Sequence, residues 1–302
     1  MSYTPQDARL LAHTDVLWNA INTFFARFTT ADWMRPHGKD WTFGDVPYHL
    51  MYFQTLAAEA IKKGHTDEPH DEIRTLRELN AFNNSRFAAR PANQTGVQSF
   101  SLFRRSQDAL RQSIRGLGDD HPDLDHEVWY GVLRARGWHT TRFMLDYNLW
   151  HNWLHFTESY LRYHDDLPPL DAELMHHALD LHMELTAGAL NHTAAKERFT
   201  WELTLTGNGG GVWTFIVENG DGRVQVGRLE GEKPDVRMER SIEVHLKSTG
   251  FHMLHPLRAL ALSKIKTNGG INKITLLGKL FAPKDDEEWT PITEAEIAAV
   301  RP

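Results

Sequence analysis

The sequence predicts a multidomain protein with an all-α half followed by an α+β half. The expected parts are an antiparallel four-helix bundle over residues 1–166 and a sheet covered by helices over 171–302. Three observations carry this. Up to Tyr163, long segments repeat apolar residues at helical spacing; Pro168 and Pro169 then interrupt the chain; beyond them, runs that alternate apolar and polar residues are separated by glycine turns.

The first helix is expected over 7–28, "DARLLAHTDVLWNAINTFFARF", and the second over 43–64, closing on Gly64, a good helix stop. A shorter helix over 71–90 ends at Pro91. The third long helix runs over 96–118 and the fourth from about 140 to 162. Four amphipathic helices with moderate connections suit a bundle, where side chains from facing helices can meet on a metal.

In the second half, a helix is expected over 171–195. It leads into "RFTWELTLT", in which Phe199, Trp201, Leu203 and Leu205 alternate with polar residues as in a half-buried strand. "GNGGG" turns the chain into a strand over 212–219, and "NGDGR" turns it again into one over 224–229, an antiparallel meander. "GNGGG" is read as a hairpin and not a phosphate loop, because strands flank it on both sides. Farther on, a helix near 255–265, a strand near 271–276 ("INKITL") and a helical turn at 276–281 complete the expectation.

Composition narrows the function classes. The net charge is −7, with Lys and Arg against Asp and Glu at 18 to 21 through residue 166 and 15 to 19 after it. Neither half offers the basic face of a nucleic-acid binder. No apolar run of about 18 residues can span a bilayer, and the N-terminus lacks a signal-peptide layout, so a cytoplasmic location is expected. With no cysteine among 302 residues, any metal must be held by His, Asp or Glu, and any thiol must come from a cosubstrate.

The chain has 18 histidines, and two of them stand out in "YNLWHNWLHFTE". His151 and His155 are four residues apart on an expected helix, which puts both rings on one face with Cβ atoms roughly 6 Å apart. His49 in "DVPYHLMYF" falls among Val46, Leu50 and Phe53, which face the bundle core. Three imidazoles from two helices leave a coordination position open, the layout of a catalytic metal site. The alternative is a set of core histidines hydrogen-bonded to neighbours.

Nearby residues have two readings each. Glu158, three residues beyond His155, is the candidate catalytic base or second partner to a ligand, or else a solvated helix residue. Asp45 orients His49 or caps the second helix. Tyr52 is expected in the core, and His139 in a turn before the fourth helix. His176 and His177 face different sides of their helix and form no site together.

"DWTFGDVPYHLMYF", followed about a hundred residues later by "HNWLHFTE", resembles the DinB/YfiT family of metal-binding four-helix bundles over roughly 2–166. That resemblance implies a divalent metal, zinc or nickel, on His49, His151 and His155. Residues 171–282 resemble the sterol-carrier-protein fold through "FTWELTLTGNGGGVWTFIVENGDGRVQVG", "PDVRMERSIEV" and "GKLF". A bundle of this type joined to such a sheet is the architecture of the mycothiol-dependent maleylpyruvate isomerases. In that branch the first position of the fourth-helix pair is typically a glutamate, whereas this chain has His151. An arginine of the second domain assists there, and Arg223, Arg228 and Arg237 are the candidates here.

The resemblance implies a divalent-metal-dependent enzyme, a low-molecular-weight-thiol-dependent S-transferase or isomerase acting on a small molecule. A metal-dependent hydrolase is open on the same ligands. A rival of another class is a non-enzymatic protein that encloses a lipid or other apolar ligand in its sterol-carrier-like half. Homo-oligomerisation is left open.

Overall fold

The computed structural model describes residues 3–66, 73–282 and 285–300. The chain divides into two compact units, Met1–Pro168 and Pro169–Pro302.

Unit one contains α1 (Pro5–Phe25), α2 (Thr30–Trp33), β1 (Pro36–His37), β2 (Trp41–Thr42), α3 (Asp45–Lys63), α4 (Leu76–Ala88), α5 (Gly96–Arg115), β3 (Glu127–Tyr130), β4 (Gly137–Thr140) and α6 (Thr141–His164). The four long helices α1, α3, α5 and α6 pack on one another and bury Leu17, Trp18, Phe103 and Trp153 almost completely. Their ends follow from local chemistry. Thr4 and Asp7 form a capping box at the start of α1, Thr95 and Gln98 one at the start of α5, and Gly64 closes α3 with φ +84°.

All four long helices and the shorter α4 lie where the apolar spacing expects them, although α5 stops at Arg115. Residues 71 and 72, the expected start of the short helix, lie outside the described residues. Two small hairpins differ from expectation. β1 pairs with β2 around Gly38, and β3 pairs with β4, so His139 lies in a strand and not in a turn.

Unit two contains α7 (Ala172–Ala189), β5 (Phe199–Thr206), β6 (Gly211–Glu218), β7 (Asp221–Val226), β8 (Val236–Ser241), α8 (Ile242–His245), α9 (Pro256–Ala261), β9 (Ile265–Asn268), α10 (Ile271–Leu280) and α11 (Glu294–Val300). A π-helical turn over Leu246–Gly250 follows α8 directly. The sheet order is β7-β6-β5-β8-β9. β5, β6 and β7 form the expected meander, but β8 pairs with β5 in parallel and makes it a central strand.

That position corrects one expectation. β5 is buried on both faces, its polar Thr200 and Glu202 included, because neighbours on both sides carry covering side chains. A second correction concerns "INKITL", which is the start of α10. Its Ile271, Ile274, Leu277 and Leu280 recur at three-residue spacing, and Leu277 and Leu280 are buried, so the helical period prevails over the β-branched composition. The strand lies just before it, at β9. The helix expected to 195 ends at Ala189.

Candidate metal centre

α3 and α6 pack against each other, and their facing surfaces bring His49, His151 and His155 together. One ring nitrogen from each lies within 4.8 Å of the others, and His49 Nε2 and His151 Nε2 are 3.0 Å apart. The ring centroids form a nearly equilateral triangle, with separations of 4.9, 4.6 and 4.8 Å. Tetrahedral zinc with Zn–N of about 2.0–2.1 Å sets its nitrogens about 3.3 Å apart. Small ring rotations therefore bring this triangle to ligand spacing.

The surroundings are aromatic. Phe53 lies 4.9 Å from both His49 and His151. Trp41 stacks on His155 at 5.7 Å and 16°, sits 4.9 Å from His49, and meets Phe87 of α4 edge-on. Burial among these rings keeps His49 and His151 well below the ordinary histidine value of 6.5 and lowers His155 to about 4. All three are neutral at pH 7, the form that donates a lone pair. His49 is buried, whereas His151 and His155 keep partial exposure that a small ligand can use.

The chemistry of this donor set fits a divalent cation. The Nδ1 atoms of His151 and His155 are buried without a hydrogen-bond partner. With three neutral rings crowded together and no acid among them, each ring has one lone pair to offer, and a single cation could take one nitrogen from each.

Of the other residues singled out by sequence, Glu158 is half-buried and accepts from Arg162 Nε at 2.9 Å; it is not among the clustered donors. Asp45 bonds neither to His49 nor to a free helix N–H: as the first residue of α3 it accepts from the backbone N–H and the hydroxyl of Thr42, ahead of the helix, and pairs with Arg90. Tyr52 packs beside Phe82 under the Arg86 guanidinium, and burial pushes its hydroxyl up to about 12. His139 is buried and stacks on Phe143 at 3.9 Å. In unit two, His176 pairs with Gly209 O, while Arg228 and Arg237 flank the buried Glu202 at 3.5 and 3.4 Å. Arg223 is exposed.

Two residues of the centre went unassigned in the sequence, Trp41 and His37. The β1–β2 hairpin pairs them across its strands. His37 Nε2 lies 3.0 Å from Ser159 Oγ, and that hydroxyl donates to His155 O at 2.7 Å. Burial, reinforced by His155 and Arg162, lowers His37 to about 3. The signal was the "HGKDW" turn, with Gly38 at φ +85° allowing the reversal.

The class this defines is a helical protein in which two helices present three clustered histidines, two of them partly exposed. Comparison with known proteins narrows this. The family described as mycothiol maleylpyruvate isomerase N-terminal domain matches residues 15–145. The solved structure of the mycothiol-dependent maleylpyruvate isomerase aligns with TM-score 0.50 and 12% identity, covering 82% of this chain and 90% of that one. A single-substitution mutant of it gives TM-score 0.51 with the same identity and coverage. At that identity the likeness is one of fold: a helical N-terminal region followed by a C-terminal sheet. Sterol Carrier Protein 2 from Yarrowia lipolytica aligns over 28% of this chain and 72% of its own at 18% identity and TM-score 0.24, too low to bear on the fold. No curated protein sequence matches. Among the described residues, no helix is long and apolar enough to cross a membrane.

Proposed function

We propose that this protein is a divalent-metal-dependent enzyme in which His49, His151 and His155 hold the metal and a low-molecular-weight thiol is the cosubstrate. The observation that carries the reading is the convergence of three neutral imidazoles among aromatic side chains, two of the three partly exposed. The match to the isomerase N-terminal family supports the thiol. In this reading residues 1–166 are a DinB-like antiparallel bundle and 171–302 a sterol-carrier-like domain.

The bound metal would supply Lewis acidity, which favours thiolate over thiol. The chain itself has no cysteine, so the sulfur is the cosubstrate's. Trp41, Phe53 and Phe87 shield the rings, and a small substrate would approach from the side on which His151 and His155 keep partial exposure. Glu158, held by Arg162, is the proton acceptor nearest in sequence to the ligands. A thiolate adding to one carbon of a cis double bond conjugated to a carbonyl forms a C–S bond and moves the π electrons onto the carbonyl oxygen. Rotation about the resulting single bond and loss of the thiolate give the trans alkene, with no net change of atoms.

The test is conversion of maleylpyruvate with and without mycothiol on metal-loaded protein. Thiol-dependent isomerisation that His49→Ala abolishes and Glu158→Gln slows is expected. Ester or amide hydrolysis without thiol, on the same ligands, would instead make the protein a hydrolase.

A further inference from the structure

Unit two contains a buried cation, Arg240, with no counter-ion among the described residues. Arg240, on β8, is 4% exposed and lies in the sheet between Leu205 of β5 and Ile265 of β9, both buried and apolar. Its Nη1 donates to Ser248 Oγ at 3.1 Å, and its Nε has no partner. Among the described residues no carboxylate pairs with it. The contrast with Glu202 on the next strand is direct, since that buried acid sits between two arginines.

The groups around Arg240 are neutral, and Ser248 Oγ, which accepts from it, donates its own hydrogen to Val244 O at 2.6 Å and so positions the guanidinium. His245 of α8 is 1% exposed, with Nδ1 3.3 Å from Thr249 Oγ1 and a buried Nε2 that no group meets. His182 of α7 approaches from another element, its ring 5.7 Å from that of His245 at 81°. Arg240 holds both imidazoles neutral by adding its charge to the effect of burial. Ser248 comes from the π-helical turn, a distortion that recurs at functional sites. A guanidinium fork is the side chain best matched to a two-oxygen anion. A buried cation left unpaired is strongly unfavourable.

We propose that Arg240, positioned by Ser248, forms with the imidazole of His245 an internal site for an oxyanion, of which the carboxylate of a small organic acid is the chemistry of best fit. The oxyanion balances the guanidinium charge and gives the unpartnered Nε and Nε2 atoms something to bind. This site is independent of the three histidines of unit one.

The experiment uses the full-length protein, with calorimetric titration and thermal unfolding at constant ionic strength against sodium acetate, sodium octanoate and sodium sulfate, with chloride as the reference. Saturable binding near one equivalent is expected for at least one of the three. Arg240→Met should weaken it at least tenfold, Ser248→Ala severalfold, and His151→Ala not at all. Response to acetate and octanoate alone identifies an organic acid, and response to sulfate as well identifies a general oxyanion site. No saturable binding to any probe, or equal binding by Arg240→Met, overturns the proposal. If Arg240→Met does not fold, unchanged affinity in Ser248→Ala overturns it instead.

Discussion

The histidine triad of α3 and α6 and the Arg240 cluster of unit two both put imidazoles into an apolar interior, yet they call for opposite ligands. In the triad no charged group lies among the clustered donors, and neutral imidazoles offer lone pairs, so the ligand proposed there is a cation. Around Arg240 the charge is already present and positive, so the missing partner is an anion. A lowered histidine pKa alone does not distinguish the two, because burial produces it in both places. The sign of the neighbouring charge does.

The comparison can be broken first at the ligands. His49→Ala and His155→Ala each remove a donor and should cost more metal affinity than the roughly 10–100-fold lost with outer partners; competition with a chelator measures this. Trp41→Ala should give a loss within that lower range, since Trp41 only stacks on His155 and faces His49. Equal losses from Trp41 and the histidines would mean that packing, not ligation, organises the centre.

Acid sensitivity sharpens the other half. His182, lowered to about 4, and His245, held well below 6.5, are neutral when folded and take up protons near 6.5 when unfolded. The unfolded state therefore gains protons first as pH falls, and stability drops below pH 6.5 by up to about 1.4 kcal/mol per pH unit for each group. For His182 the drop levels off near 4. His182→Gln should flatten the denaturation midpoint against pH over that window, and an unchanged slope would contradict the account.

Asp7 gives the reverse case in unit one. Burial raises its carboxyl, but hydrogen bonds from Arg142 and Thr4, with the guanidinium charge, together hold it below the ordinary 3.8. Its stabilisation is full above that value and is lost only as pH falls through the folded one. Asp7→Asn should cost about 1–3 kcal/mol at pH 7 and little at pH 2. The smallest effect is at a cap: Thr95→Ala removes the hydroxyl that accepts from Gln98 N at the start of α5 and should cost about 1 kcal/mol in a denaturant titration.

The long helices were legible because an apolar stripe at helical spacing records which face is buried, as at Leu10, Leu17, Trp18 and Ile21 of α1. His151 and His155 were legible as a pair for the same reason. Glycine turns marked β5, β6 and β7. The partners of short elements were not legible. Nothing local in β8 announces that it lies parallel to β5, and the burial of Thr200 and Glu202 follows only from that pairing. Likewise, Trp41 reaches the centre through a two-residue strand, too short to leave a period. Arg240 sits among Met238, Glu239 and Ser241, a run that reads as an exposed strand until β9 and α8 close over it.

The most direct test is the metal content of untagged protein by elemental analysis, with wild type and His151→Ala matched for folding by circular dichroism. The account predicts close to one equivalent of divalent metal in the wild type and almost none in His151→Ala. A folded wild type that stays empty after incubation with zinc or nickel, or a His151→Ala protein that keeps its metal, would contradict it and leave the three rings as core histidines.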